Sequence, residues 1–391
     1  MARPEIGTLF RRGNLSARHA EVDGNRVVLL HDGREAFPAM LSAIADAQHE
    51  VLLEMYWFDS DATGQRFADA LVACAQRGVD VCVVYDAIGS IGADAAMFDR
   101  MRAAGCDVRE WNPVAPWRAR FQVATINRRD HRKVLVVDNR IAVTGGINIA
   151  DLWAPVESGG DGWRDDAVLL EGNVAARLRD SFLDIWSRLD GRRPRLDTSA
   201  LPVAPGTSDG VRVQVLANRA RGDRRSIRRV YLEQIRKARK SIYICNSYFL
   251  PDRAIRKALM QAAQRGVDVR IMLAGRSDVV AVYYASRRMY AELMSAGIRI
   301  FEWTKSVFHS KTAVVDGSWS TIGSYNLDTV SWRLNLELNV AIADHELGER
   351  MNERFFRDAA EAVAIDARAF SFRPMVERLL EWFFYLFRKF L

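Results

Sequence analysis

The sequence predicts an α/β fold built from two similar halves related by pseudo-twofold symmetry, with the functional residues at their interface. Three observations carry this reading. Strand-like and helix-like segments alternate in the same order in both halves of the chain. His131, Lys133, Asp138, Gly145 and Asn148 return 178 residues later as His309, Lys311, Asp316, Gly323 and Asn326, with every internal spacing kept. Ala75-Gln76-Arg77-Gly78-Val79-Asp80-Val81 also returns letter for letter as Ala263-Gln264-Arg265-Gly266-Val267-Asp268-Val269. The offset is 188 for this second repeat and 192 for Glu110-Trp111 against Glu302-Trp303, so small insertions separate the halves.

In the first half, residues 27–30 read as a strand, 36–47 as a helix, 51–56 as a strand, 66–77 as a helix and 79–85 as a strand. The second half repeats the order at 211–216, 226–239, 241–245, 253–265 and 267–273. Another strand and helix follow each signature, at 166–170 and 174–186, then at 336–342 and 347–356. Pro194, Pro202, Pro205 and Gly206, with no hydrophobic period around them, mark a linker. The chain therefore divides into a basic N-terminal segment (1–24), a first half (25–190), the linker (191–209), a second half (210–372) and an amphipathic tail (373–391). About fourteen additional residues precede His131, because His309 follows Trp303 far more closely than His131 follows Trp111.

With 391 residues, 49% hydrophobic and 27% charged, the composition is that of an ordinary globular protein. Cys74, Cys82, Cys106 and Cys245 lie in apolar stretches without paired spacing and read as small buried hydrophobes in a reducing compartment. A net charge of +7 favours an anionic partner: nucleic acid, anionic lipid or a phosphorylated substrate. Residues 1–18 hold Arg3, Arg11, Arg12 and Arg18 but no apolar run, so they read as neither a signal peptide nor a membrane anchor, and the chain as beginning in the cytosol. The tail from Pro374 to Leu391 carries Leu379, Trp382, Phe383, Leu386 and Phe387 beside Arg378, Arg388 and Lys389. As a helix it would span roughly 27 Å and it includes Glu377 and Glu381, which suits an interfacial membrane helix better than a spanning one. A helix packed on the core is the alternative.

His-x-Lys on a strand points both side chains to one face. A neutral imidazole can attack phosphorus, a protonated one can give a proton to a leaving alcohol, and an ammonium holds anionic charge. Two such pairs facing each other could hold one phosphodiester. One histidine would then form a covalent phosphohistidine while the other moves the proton. The six histidines show no ligand-spaced cluster, so no metal and no cofactor are expected.

His-x-Lys-x4-Asp followed by Gly-Gly-Ile-Asn or Gly-Ser-Tyr-Asn, present twice, resembles the phospholipase D superfamily across nearly the whole chain. Tyr56-Trp57-Phe58, Tyr248-Phe249-Leu250-Pro251, Trp163-Arg164-Asp165 and Asn335-Leu336-Glu337-Leu338-Asn339 resemble bacterial cardiolipin synthases, of the shorter type without N-terminal transmembrane helices. The resemblance implies two phospholipase D-like α/β sandwich halves and phosphatidyl transfer between phosphatidylglycerol molecules, releasing glycerol, at the cytoplasmic face of a bacterial membrane. It implies His131, Lys133, Asp138, His309, Lys311 and Asp316 as the catalytic signature, with His131 the nucleophile. Asp138 and Asp316 could instead hold the strand–turn structure. Asn148, Asn326 and Ser324 are implied as phosphate contacts, Ser324 matching Gly146 in the first half. Glu337 would orient His309, and Asp165 is assigned to His131.

Tyr56 and Tyr248 read as core aromatics before substrate contacts. The segment with Trp111, Trp117, Arg118, Arg120, Phe121, Arg128, Arg129 and Arg132 suits headgroups at a membrane surface or is a solvated basic loop. Arg276, Arg287 and Arg288 with Tyr283, Tyr284 and Tyr290 line a substrate entrance or form a plain helix surface. A hydrolase or nuclease of the same superfamily would use the same histidines, and arginine–aromatic alternation also describes single-strand nucleic-acid grooves. The aromatic tail favours lipid, so no nucleic-acid partner is expected. A non-catalytic membrane scaffold is the remaining alternative.

Overall fold

The structure is a computed structural model describing residues 21–116, 121–122, 126–190, 210–218 and 225–391. The expected linker 191–209 and the basic segment 1–20 lie outside the described residues, as do Trp117, Arg118 and Arg120. The first half runs β1 (Glu21–His31), α1 (Asp32–Ala45), β2 (Glu50–Met55), α2 (Ala62–Gln76), β3 (Asp80–Asp86), α3 (Ala95–Ala103), β4 (Asp107–Trp111), β5 (Lys133–Val137), β6 (Ile141–Gly145), β7 (Asp166–Glu171) and α4 (Val174–Asp190). The second runs β8 (Val211–Ala217), α5 (Ser226–Lys237), β9 (Ser241–Asn246), α6 (Arg253–Gln264), β10 (Asp268–Ala274), α7 (Val280–Arg287), α8 (Tyr290–Ser295), β11 (Arg299–Trp303), β12 (Lys311–Val315), β13 (Trp319–Gly323), α9 (Thr329–Arg333), β14 (Leu338–Ala343) and α10 (His345–Glu361). β15 (Val363–Ala364), α11 (Ala367–Ser371) and α12 (Met375–Leu386) close the chain.

The strands form one sheet in the order β15-β11-β10-β9-β12-β13-β14-β8-β1-β7-β6-β5-β2-β3-β4. Apart from the short β15, this order is a palindrome about the β8–β1 pair, so the repeated sequence becomes two matching half-sheets joined edge to edge. β1 already begins at Glu21, ahead of the boundary expected at residue 25, and pairs with β8 from that residue on. β2 and β5 are buried along their whole length, which explains their continuous runs of Val and Leu. The helices of each half cover one face with separate cores. A third core joins the halves: Phe182 and Trp186 of α4 and Leu347 and Met351 of α10 belong to one buried cluster with Val134, Val213, Ile322 and Val340.

The letter-for-letter repeat has a local cause. Asp61 and Asp252 cap α2 and α6 by accepting from the Gly64 and Ala254 amides. Both helices end at glycines in the left-handed region, Gly78 (φ 88°) and Gly266 (φ 89°), which turn the chain into parallel strands β3 and β10.

Asp138 and Asp316 correct one expectation. Each sits just past the end of its strand with positive φ, 50° and 54°, away from its signature histidine. Asp138 accepts from the Gln48, His49 and Glu50 amides at 2.8–2.9 Å. Asp316 accepts from the Arg239, Lys240 and Ser241 amides, with a shortest bond of 2.7 Å to Lys240. These carboxylates tie β5 to the start of β2 and β12 to the start of β9, and so fix the strands that carry the lysines. Asp138→Ala and Asp316→Ala are each expected to lose about 2–3 kcal/mol of stability in urea unfolding, while the turnover of the folded fraction stays within a factor of two or so of wild type.

Candidate active site

β5 and β12 begin at Lys133 and Lys311, so each histidine stands two residues ahead of a strand. Two bridges cross between the halves there. Asp130 pairs with Leu336, and Arg164 pairs with Phe308. The His131 amide donates to the Leu336 carbonyl at 3.0 Å, and the His309 amide to the Arg164 carbonyl at 2.8 Å. The residue after each of these carbonyls is a carboxylate, Glu337 and Asp165.

The orienting pairs are therefore crossed relative to the expectation. His131 Nδ1 bonds Glu337 at 3.0 and 3.1 Å, and His309 Nδ1 bonds Asp165 at 2.7 Å. Each half supplies the carboxylate for the other half's histidine. The reason is the pair of bridging segments, which carry Leu336-Glu337 against Asp130-His131 and Arg164-Asp165 against Phe308-His309. With Nδ1 held, Nε2 is the nitrogen free to react on each ring.

The two carboxylates are supported differently. Ser324 Oγ donates to Glu337 at 2.5 Å and accepts from the Leu338 amide at 3.1 Å. Ser324 is fully buried and thus a positioning residue for Glu337, not the phosphate contact that was expected. Asp165 accepts from Trp153 Nε1 at 3.0 Å and from the Asp166 amide at 2.8 Å. A Cβ on Gly146 would lie 2.1 Å from Asp165 Oδ1. The shorter aspartate, the glycine and the indole in one pair thus replace the glutamate and the serine in the other.

Lys133 and Lys311 are buried, and each Nζ donates to the carbonyl of its own histidine, at 2.6 Å for Lys133. Lys311 also donates to Ser247 Oγ at 3.0 Å, and Ser247 donates to Asn326 Oδ1 at 2.9 Å. Asn148 Oδ1 accepts from the Trp57 amide at 3.1 Å. Both asparagine oxygens are therefore occupied, which leaves their NH2 groups as donors for an anion. Burial pushes Lys133 down to about 7 and Lys311 to about 8. Burial lowers both histidines too; Glu337 opposes the shift at His131, and Lys311 adds to it at His309. Burial works against the Glu337 carboxylate, but the charges of His131 and Lys133 and the Ser324 bond hold it below its ordinary value. Burial thus disfavours the charged form of both imidazoles and of both lysines.

His131, His309, Asn148 and Asn326 line one cavity of about 790 Å³. Tyr56 and Tyr248 line it as well, edge-on to His131 at 4.8 Å and to His309 at 6.2 Å, so both tyrosines face the site instead of only packing the core. Ile88, Ile91, Val279, Leu334, Phe390 and Leu391 add an apolar rim. Trp153 at 5.3 Å from the His309 ring and Ser247 were missed from the sequence, because neither lies in a repeated motif. Other expected contacts fall elsewhere. Trp111 is buried, Arg129 pairs with Asp86, and Arg132 is buried against Glu54. Trp111 and Arg132 are thus not available to headgroups, while Arg129 lines the catalytic cavity.

The tail is a helix that both packs and presents a surface. Its buried residue is Glu381, paired with Arg373 at 2.6 Å and with Arg287 at 3.6 Å. Phe384 stacks on Tyr284 at 5.9 Å. Met375, Val376, Leu379, Trp382, Phe383, Leu386 and Phe387 face outward, 46–74% exposed. No helix among the described residues is long and apolar enough to cross a membrane.

Residues 40–154 and 231–359, one segment in each half, match the family described as cardiolipin synthase, PLD-like domain. The chain is 34% identical over 382 residues to cardiolipin synthase of Geobacillus thermodenitrificans strain NG80-2, covering 97% of this chain and 74% of that protein. It is 30% identical over 375 residues to a probable cardiolipin synthase of Bacillus subtilis strain 168, covering 96% and 74%. Among solved structures, phosphatidylserine synthase from Haemophilus influenzae Rd KW20 superposes with a TM-score of 0.70 over 93% of this chain and 95% of that one. At 15% identity this likeness concerns the fold.

Gly146→Ala should displace Asp165 and lower kcat about 100-fold or more, whereas Ser324→Ala, which leaves both Glu337 bonds to His131 in place, should lower it about tenfold. Steady-state kinetics on folded variants separates the two. The lysines predict a pH signature of opposite sign for binding and stability. Their charges are lost as the pH rises through about 7 and 8, so kcat/KM for a phosphodiester falls between those values. The unfolded chain keeps these protons to a pH of about 10.4, so the folded state binds fewer protons in this window and these two lysines raise the melting temperature with pH.

Proposed function

The chain belongs to the cardiolipin synthase, PLD-like domain family, and from this premise we propose that it transfers a phosphatidyl group between two phosphatidylglycerol molecules, giving cardiolipin and glycerol. The observation that carries the reading is the convergence of His131 and His309, with Asn148 and Asn326, on one cavity, each histidine held by a carboxylate of the opposite half. The donor phosphodiester sits among Lys133, Lys311 and the NH2 groups of Asn148 and Asn326. His131 Nε2 attacks phosphorus and forms a P–N bond. The P–O bond to glycerol breaks, and His309 supplies the proton that glycerol takes with it. A protonated His309 is needed for this step although burial disfavours it, and the phosphodiester's negative charge beside the two lysines offsets that bias.

The hydroxyl of the second lipid then attacks phosphorus, and its proton passes to His309 as the bond to His131 breaks. Water competes at about 55 M, so the site must exclude solvent and hold the lipid hydroxyl close. The apolar rim supports this. The outward apolar face of α12, whose C-terminal continuation reaches the cavity at Phe390 and Leu391, supports peripheral attachment to the cytoplasmic face of the bacterial membrane.

Purified protein given labelled phosphatidylglycerol in vesicles is expected to form cardiolipin and glycerol. His131→Ala and His309→Ala should each reduce that turnover about 10³-fold or more. Phosphatidic acid as the only lipid product would make the protein a hydrolase, and DNA cleavage with no lipid product would make it a nuclease. Leu379→Glu combined with Leu386→Glu is expected to weaken binding to phosphatidylglycerol vesicles at least about tenfold without changing the melting temperature. Equal sedimentation with vesicles would remove α12 from the membrane contact.

A further inference from the structure

The two halves also differ at the ends of β3 and β10, beside the active site. In the first half, the end of β3 carries an ion pair, and Arg129 of that pair lines the catalytic cavity. Asp86 is fully buried and accepts from the Asp130 amide at 2.8 Å and from the Ile88 and Gly89 amides at 2.9 and 3.2 Å. Arg129 closes over it, 3.3 Å from Asp86 Oδ1, and donates to the Asn112 carbonyl at 3.1 Å. The second half keeps the same backbone: the Gly275 amide donates to the Trp303 carbonyl at 2.8 Å as the Ala87 amide does to the Trp111 carbonyl at 3.1 Å. By the repeat offsets, however, Ala274 stands in place of Asp86 and Val307 in place of Arg129.

A cavity of about 620 Å³ lies at the ends of β10 and β11. Trp163, Arg276, Tyr283, Tyr284, Lys305 and Val307 line it. Of the basic aromatic stretch noted in the sequence, Arg276, Tyr283 and Tyr284 thus face a cavity, while Arg287 and Tyr290 are buried, Arg287 against Glu302 at 2.8 Å. The Arg276 guanidinium reaches only the Lys305 carbonyl, at 3.5 Å, among the described residues. Lys305 is held by Glu361 at 2.5 Å.

This compartment adjoins the catalytic cavity on the His309 side. Trp163 is a wall of both, with its ring 6.0 Å from that of His309. The Arg276 carbonyl accepts from the Phe308 amide at 3.4 Å, one residue before His309. On the far side, Tyr284 stacks on Phe384 of α12.

Resting on the phosphatidyl-transfer reading, we propose that this compartment holds the phosphodiester of the acceptor lipid, with Arg276 pairing with its negative charge. Three carbons separate that phosphate from the reacting hydroxyl in a glycerol headgroup, so a lipid anchored at Arg276 presents its hydroxyl around Trp163 to His309. The hydroxyl oxygen forms a P–O bond, the P–N bond to His131 breaks with its electron pair returning to the imidazole, and the hydroxyl proton passes to His309 Nε2. The leaving and incoming alcohols therefore share one side, as in-line displacement at a His131-linked phosphorus requires, and selectivity for a phosphate-bearing alcohol arises at Arg276.

The test is a competition. Full-length protein on phosphatidylglycerol vesicles is offered labelled glycerol and soluble glycerophosphoglycerol together, and the two phosphatidyl products are counted. Wild type is expected to favour glycerophosphoglycerol at least about tenfold. Arg276→Gln should bring the preference close to one, and Arg276→Lys should restore part of it. An unchanged preference in Arg276→Gln, or no preference in wild type, would overturn the compartment's role. Failure of wild type to make cardiolipin from vesicles alone would instead overturn the transfer reading.

Discussion

The hydrogen bonds from His131 to Glu337 and from His309 to Asp165 run between the two halves, and much of the surrounding structure keeps these four side chains dry and aligned. Burying two histidines, two lysines and two carboxylates together is costly unless each has partners. Here every member has at least one: Ser324 for Glu337, Trp153 for Asp165, and the histidine carbonyls for the lysines. The continuous sheet and the shared core under α4 and α10 fix the spacing of the halves, so the geometry of the crossed pairs is inherited from the most rigid part of the molecule.

Pseudo-symmetry explains how a single phosphodiester can meet two imidazoles, but transfer between lipids needs the two sides to differ. The structure differs at the carboxylates and at the flanking compartments. Glutamate with serine on one side and aspartate with glycine and tryptophan on the other place an oxygen at hydrogen-bonding distance from each Nδ1 despite the difference in side-chain length. The Asp86–Arg129 ion pair beside His131 has no counterpart at Ala274 and Val307 beside His309. Outward from both cavities, α12 buries a glutamate and exposes its leucines and aromatics, the reverse of a helix whose only neighbour is the protein core.

The repeat made the duplicated half-sheets, the element order and the identities of His131, Lys133, His309 and Lys311 legible, because each is written twice at fixed spacing. The crossed pairing was not legible: it depends on which half supplies the segment beside each histidine, and the bridges Asp130–Leu336 and Arg164–Phe308 have no local sequence pattern. Ser324 looked like a phosphate contact by its position in the motif, but the Glu337 side chain, thirteen residues later, claims its hydroxyl. Arg129 and Arg132 looked like headgroup contacts because a sequence shows charge and not its partner; Asp86 and Glu54 lie 43 and 78 residues upstream. Trp153 lies outside the repeated signature.

The crossed pairs can be observed directly. In protein labelled with nitrogen-15 at histidine, each Nδ1 proton bonded to a carboxylate gives a low-field resonance, assigned by its loss in His131→Ala or His309→Ala. Glu337→Gln is expected to move the His131 resonance and leave that of His309 in place, and Asp165→Asn to do the reverse. If Glu337→Gln moved the His309 resonance and spared His131, each half would orient its own histidine, and the composite site described here would be contradicted.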